Sequence, residues 1–320
     1  MPRARLVVAC TLGALGAWFV LIHYTRVSVT SDVDQLWAGT RALWQGRDPY
    51  AVPLSALGYP LFYPVPALLL VSPIAWLPLS VFRAVFLGLG VAVCVYALTA
   101  QSWWSLTLCL SAAFYYAVQG PEWSPLVTGA ALLPWGGLVL AAKPTVGAAL
   151  FLAYPSKAKL LSALGLVLLS FLMVPHWLTP WLAAVQRAPH YPLAMVPGGG
   201  VLLLALLRWR LPEGRLLAAL ACVPGTGLAY EWVPLWLIPR TPRQYLALAL
   251  LTDLAFLPTV MGPPARMSAG TFLRWNAVIA LVLVYLPMLY LVLRSRRRDG
   301  GVVIEEPERR VDQEGREAQV

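Results

Sequence analysis

An all-α integral membrane protein with many crossings is the fold class this sequence predicts, and three observations predict it. Hydrophobic residues make up 59% of the 320 residues against 12% charged, and a mean hydropathy of +0.70 lies far outside the range of soluble domains. Apolar runs recur from "LVVACTLGALGAWFVLI" near the start to "AVIALVLVYLPMLYLVL" near the end, several of them reaching the ~20 residues a helix needs to cross a bilayer. Basic residues collect at the ends of these runs, as in "PSKAK" at 155–159 and "RSRRR" at 294–298. In a soluble protein a net charge of +10 would suggest nucleic acid; placed at segment ends it is a topology signal.

The first apolar segment, about Leu6 to His23, follows Arg3 and Arg5. A signal peptide is rejected, because the small-x-small cleavage pattern is missing and "VLIHYTRVS" follows the core. The polar loop from Tyr24 to about Phe62 comes next. Within it Leu36, Trp37, Thr40, Leu43 and Trp44 recur at helical spacing, which predicts a short amphipathic helix along the outer interface, with Gly46 as its C-cap and "DPY" as a turn. Apolar stretches follow at roughly 63–79, 81–100, 103–118, 124–142, 144–154, 160–176, 198–208, 214–239, 244–262 and 272–294. They predict ten to twelve crossings, some broken. With 28 Pro and 24 Gly, half-helices are expected around "LLPWGGLVLAAKP" and "VPGTGLAYEWVP", since non-helical backbone at membrane depth is tolerated where protein or a wet cavity covers it. Residues 1–294 form one membrane domain, and 295–320, which mix both charge signs and lack aromatics, a disordered cytoplasmic tail.

The positive-inside rule puts the N-terminus, the 155–159 turn, the Arg240/Arg243 turn and the C-terminus in the cytoplasm, so the cluster "SDVDQLWAGTRALWQGRDPYA" at Ser31–Ala51 faces outward. Cys10, Cys94, Cys109 and Cys222 sit singly in apolar runs without CxxC pairing, and His23, His176 and His190 are scattered; neither set indicates a disulfide framework or a metal centre.

Asp32 and Asp34 are the first chemistry candidates. They read either as solvated loop carboxylates or as a source of one general base that takes a proton from a sugar hydroxyl attacking an anomeric carbon. Lys143 is either a snorkelling lysine or an intramembrane cation with a partner. In "QRAPHYPLAMVPGGG", Arg187 and His190 face acceptor or phosphate, or belong to a loop anchored by Tyr191. Asp253, inside an apolar run, is a functional candidate or pairs with a basic residue, and Glu231 stands under the same alternatives.

The run "DVDQLWAGTRALWQGRDPY" followed by "YPLFYPVPALLLVSPIAWLP" resembles the opening of the polyprenyl-phosphate-mannose-dependent mannosyltransferases of glycosyltransferase family 87, in the GT-C superfamily. The register sets Asp32 at the family's aspartate, with Trp37, Gly46, Asp48, Pro49, Tyr50, Tyr63, Pro64, Pro66, Pro73 and Pro78 on pattern positions. Leu36 stands where the first aromatic is usual and Gly39 where alanine is, and Asp34 offers a second acid. "LAAKPTVGAALFL" is similar to the family's A-x-K-P segment, and "AYEWVP" to its S-P-x-S-W-x-H segment, without the serines and the histidine. The likeness covers about Asp32 to Pro78 well, is patchy to Pro155 and poor beyond. It implies a GT-C-like bundle and an inverting transfer of a sugar, mannose by the likeness, from a polyprenyl phosphate to a lipid- or glycan-linked acceptor at the outer face. It also implies Asp32 as base (alternatively Asp34), Lys143 and Arg187 at the donor phosphate, and His190, Tyr50, Tyr63 and Glu231 at the substrates. No obligatory metal or other cofactor is expected, because a single-charge leaving group is served by Lys143 and nearby arginines. The rival readings are a transporter or lipid flippase using Lys143, Glu231 and Asp253 at the midplane, and a non-catalytic scaffold of the same fold.

Overall fold

The computed structural model describes residues 2–26, 30–51, 60–187, 190–261 and 268–295; the expected tail lies, but for Ser295, outside them. The chain is mostly helical. Helix α1 (Pro2–Arg26) leaves Leu6, Val7, Leu15 and Trp18 exposed, as a helix turned toward lipid does. It packs antiparallel on α4 (Leu79–Leu98), with which it makes the most extensive helix pairing of the fold. Close approach requires glycine at the crossing: a Cβ on Gly13 would stand 2.6 Å from the Gly88 carbonyl oxygen. At the other end of the pair Arg5 donates to the Tyr96 carbonyl at 2.7 Å and lies over the Tyr96 ring.

The amphipathic segment forms α2 (Asp32–Trp44), four residues longer at its start than the Leu36–Trp44 pattern. Its C-cap is Gln45, and Gly46 follows in the left-handed region at φ +66°, where glycine meets no Cβ penalty. Asp48 accepts from the Tyr50 N–H at 2.9 Å, the side-chain turn that "DPY" suggested. The helix lies against α3 (Val65–Val71): Thr40 donates to the Leu68 carbonyl, Trp37 to the Leu77 carbonyl, and Gln35 accepts from the Phe62 N–H.

Beyond α4 the chain is cut short repeatedly. A 3-10 segment (Trp103–Leu110) leads to α5 (Ala112–Gln119), α6 (Ser124–Ala130), α7 (Gly137–Ala142) and α8 (Pro144–Ala153). Then come α9 (Lys157–Met173) and α10 (Leu178–Val185), bent by 107° at their junction, and a 3-10 segment (Gly199–Arg208). After α11 (Pro212–Cys222), a 3-10 stretch (Ala229–Leu237) carries Pro234 inside it. The two-residue strands β1 (Tyr191–Pro192) and β2 (Pro224–Gly225) pair antiparallel and tie the loop after α10 to the loop after α11. Two long helices close the chain: α12 (Pro242–Met261), and a span in which α13 (Ala269–Ala280) passes through a π-helical turn (Leu281–Tyr285) into α14 (Leu286–Arg294). Pro287 explains that turn, since its ring removes an N–H and displaces the preceding carbonyl from the helical ladder.

Among the described residues four helices are long and apolar enough to cross a membrane, or five with the bent α9–α10 pair. That is fewer than the ten to twelve crossings expected. The reason is in the sequence: Pro and Gly divide the apolar runs into helices of 6 to 11 residues between Ala112 and Ala153 and again at α11. Such pieces stay inside because neighbours cover them, and Trp123, Trp236, Phe82 and Leu202 are fully buried between them.

Helix α8 gives the molecule a polarity. Its N-terminus is at Lys143, and at its other end, about 15 Å away for ten residues, Arg215 donates to the Leu152 and Ala153 carbonyls and Lys159 to the Tyr154 carbonyl. Basic side chains thus satisfy the orphan carbonyls of the helix end, and Arg240, paired with Glu213 at 2.7 Å, joins this region by α11.

Candidate functional site

At the Lys143 end of α8 lies a cavity of about 560 Å³, within the roughly 300–1,000 Å³ of small-ligand sites. Asp32, Tyr63, Lys143, His190 and Glu231, each singled out in the sequence, line it, together with Tyr24, Tyr116, Glu122, Trp181, Thr226 and Tyr230.

Asp32 occupies the first position of α2, after Ser31 in extended conformation (φ −117°, ψ 155°), where the helix dipole favours a carboxylate. Its Oδ2 is 3.4 Å from the Tyr63 hydroxyl, which donates to it. Asp34, two residues on, is rotated by about 200° around the helix and points into the core. There Arg83 Nε donates to its Oδ1 at 2.6 Å, Arg83 Nη2 to its Oδ2, and the Ser31 N–H to Oδ2 at 2.9 Å. Arg83 in turn lies over the Tyr24 ring at 4.0 Å. With both oxygens engaged and 1% exposure, Asp34 anchors the start of α2 and does not line the cavity.

Lys143 owes its place to Pro144. The residue before proline is pushed out of the helical region; Lys143 has φ −126°, ψ 78°, so α7 ends and α8 begins with Pro144 in its first turn. Its ammonium faces Glu122 at 3.7 Å and the rings of Tyr230 and Tyr63 at 5.2 and 5.8 Å, an aromatic enclosure suited to a cation.

Glu122 is the residue that sequence reasoning missed. It sits in the turn between α5 and α6, 7% exposed, and its Oε2 accepts no hydrogen bond from the described residues. Burial, then the Asp32 carboxylate, push its carboxyl well above the ordinary carboxylate range, against the pull of Lys143. A signal existed: in "QGPEWSP" a single acid stands between two apolar stretches, the same warrant that marked Lys143.

Glu231 lines the cavity, and among the described residues no arginine forms an ion pair with it. Its Oε1 accepts from the Thr226 N–H at 2.7 Å and the Thr226 hydroxyl at 2.9 Å, and its Oε2 from the Gly227 N–H at 2.9 Å. Gly225 lies close beside it: a Cβ there would meet Oε2 at 2.7 Å, and the carboxylate would have to shift. Asp253 accepts from the Ala112 N–H at 2.6 Å, at the start of α5, and among the described residues no basic side chain forms an ion pair with it. Tyr50 stands one layer behind the wall, buried, its hydroxyl donating to the Tyr63 carbonyl. Arg187 is exposed on the turn that ends α10 and does not line the cavity, because its N–H continues that turn to the Ala184 carbonyl.

No family model, no curated protein and no solved structure matches this chain.

Proposed function

We propose that this chain is a membrane glycosyltransferase that moves a sugar, mannose by the sequence likeness, from a polyprenyl phosphate to a lipid- or glycan-linked acceptor with inversion at the anomeric carbon. The observation that carries the reading is the meeting of Asp32 and Lys143, far apart in the chain, in the wall of one cavity. In this reading the acceptor hydroxyl gives its proton to Asp32 while its oxygen bonds to the anomeric carbon. The bond from that carbon to the phosphate oxygen breaks, and the phosphate leaves with its new charge facing the Lys143 ammonium. One carboxylate suffices for a single displacement, which predicts inversion. Tyr63 orients the base through its hydroxyl, and the rings of Tyr116 and Tyr230, stacked at 5.9 Å, offer a flat apolar wall to a sugar. The basic residues at the far end of α8 fit a cavity on the outer side of the membrane and a cytoplasmic location for the turns they occupy.

The transporter reading needs Asp253 free on a pathway, and Asp253 is engaged as a helix cap. The deciding assay gives the purified, lipid-reconstituted protein a polyprenyl phosphate mannose donor and lipid acceptors. Asp32→Asn is expected to lower turnover by about 10²- to 10⁴-fold with unchanged thermal unfolding. Full activity in that variant would remove Asp32 as base.

A further inference from the structure

The charges around the cavity do not balance for an anionic ligand. Among the described residues three carboxyl groups, Asp32, Glu122 and Glu231, line it with one ammonium, Lys143. A phosphodiester brought to Lys143 would add a further negative charge to a buried site, where like charges repel far more strongly than in water. One of the acids must therefore give way. Glu231 is fixed by three donors of its own loop. Asp32 is the base of the proposed transfer. Of the three, Glu122 combines near-complete burial, an Oε2 that accepts no hydrogen bond from the described residues, and a place beside the ammonium at 3.7 Å, a separation too long for a good hydrogen bond and easily exchanged for one.

We propose that Lys143 and Glu122 form a proton-linked anion site, in which an entering phosphodiester takes the Lys143 ammonium from Glu122 and Glu122 takes up one proton. The proton comes from water through the cavity, no covalent bond changes, and the neutral carboxyl then donates its O–H to a phosphate oxygen. The lipid source of the phosphodiester rests on the transferase reading; the proton linkage rests on the pair itself. The charged groups facing Glu122 are Asp32 from α2, Lys143 from the α7–α8 break and Glu231 from the 229–237 segment. Tyr24, Tyr63, Tyr116 and Tyr230 face it from α1, from the segment before α3, from α5 and from the same 229–237 segment. His23 and His190 line the cavity as well.

Linkage sets the sign. The bound form holds one proton more than the free form, so affinity falls as pH rises, by up to about tenfold per pH unit once free Glu122 is ionised. The probe is a short polyprenyl methyl phosphate, a diester whose own charge is constant over the scan, with dimethyl phosphate as the arm lacking a lipid tail. Isothermal calorimetry on the reconstituted wild type, in buffers of differing ionisation enthalpy from about pH 5 to about pH 9, should count about one proton taken up at the alkaline end. Glu122→Gln should bind the lipid diester with no pH slope and at least as tightly as wild type at high pH. Binding without proton uptake in wild type, which needs no variant to fold, overturns the proposal and leaves the donor reading standing. An unchanged slope in Glu122→Gln assigns the proton to another group of the cavity and also overturns it. Failure of the lipid diester to bind at any pH removes both proposals, and equal affinity for dimethyl phosphate overturns the lipid source while the proton count decides the linkage.

Discussion

Two buried carboxylate–cation pairs, Asp34–Arg83 between α2 and α4 and Glu122–Lys143 in the cavity, are built differently. Behind the helix, Asp34 and Arg83 meet in a two-pronged contact, with the Ser31 N–H completing the acid's partners and the Tyr24 ring covering the guanidinium. In the cavity, Glu122 and Lys143 face each other at 3.7 Å with unused valence on the acid. The difference teaches that burial of an ion pair does not define its role. The planar fork of arginine saturates a carboxylate and fixes an element's position, while the compact lysine ammonium leaves its partner exchangeable, as a binding site requires.

The comparison breaks first at the anchor. Arg83→Met leaves Asp34 buried and unpaired, and the expected loss is about 3–5 kcal/mol of stability, read as a marked fall in unfolding temperature in detergent. If the variant unfolds as wild type does, the anchor role fails. Lys143→Met sharpens the contrast. Glu122 borders an open cavity and is already pushed toward its neutral form, so the expected stability loss is about 1–3 kcal/mol, with phosphodiester binding lost. A loss equal to that of Arg83→Met would make the two pairs equivalent. The smallest effect is expected from Asp253→Ala, which removes a cap from α5 at a cost of about 1 kcal/mol and leaves transfer activity intact; a transport defect in that variant would revive the pathway reading.

Much of the site was legible locally. The Lys143-Pro144 pair marks a helix break because proline restricts its predecessor, and Gly46 and Asp48 mark the end of α2 because their side chains, or the lack of one, suit those turns. The helix count was less legible, since hydropathy measures apolarity over a window and is blind to whether a Pro-interrupted run continues straight. Glu122 carried a local signal, a single acid between two apolar stretches, but its pairing with Lys143 was not legible, because no local pattern connects the two residues.

From the sequence alone followed the membrane class, an amphipathic helix over Leu36–Trp44, the broken segments around Lys143 and Glu231, and the clustering of basic residues away from the acidic loop. These follow from composition, from periods of a few residues and from the backbone limits of Pro and Gly, all local physics. The tertiary structure decided which acid meets which cation: Arg83 for Asp34, Lys143 for Glu122, loop N–H groups for Glu231 and the start of α5 for Asp253. It also decided that Asp32 and Lys143 share a cavity. The apolar surfaces that pack these helices are chemically alike, so pairing and rotation are set by the fit of particular shapes, such as Gly13 against Gly88, and by the need of each buried polar group for a partner.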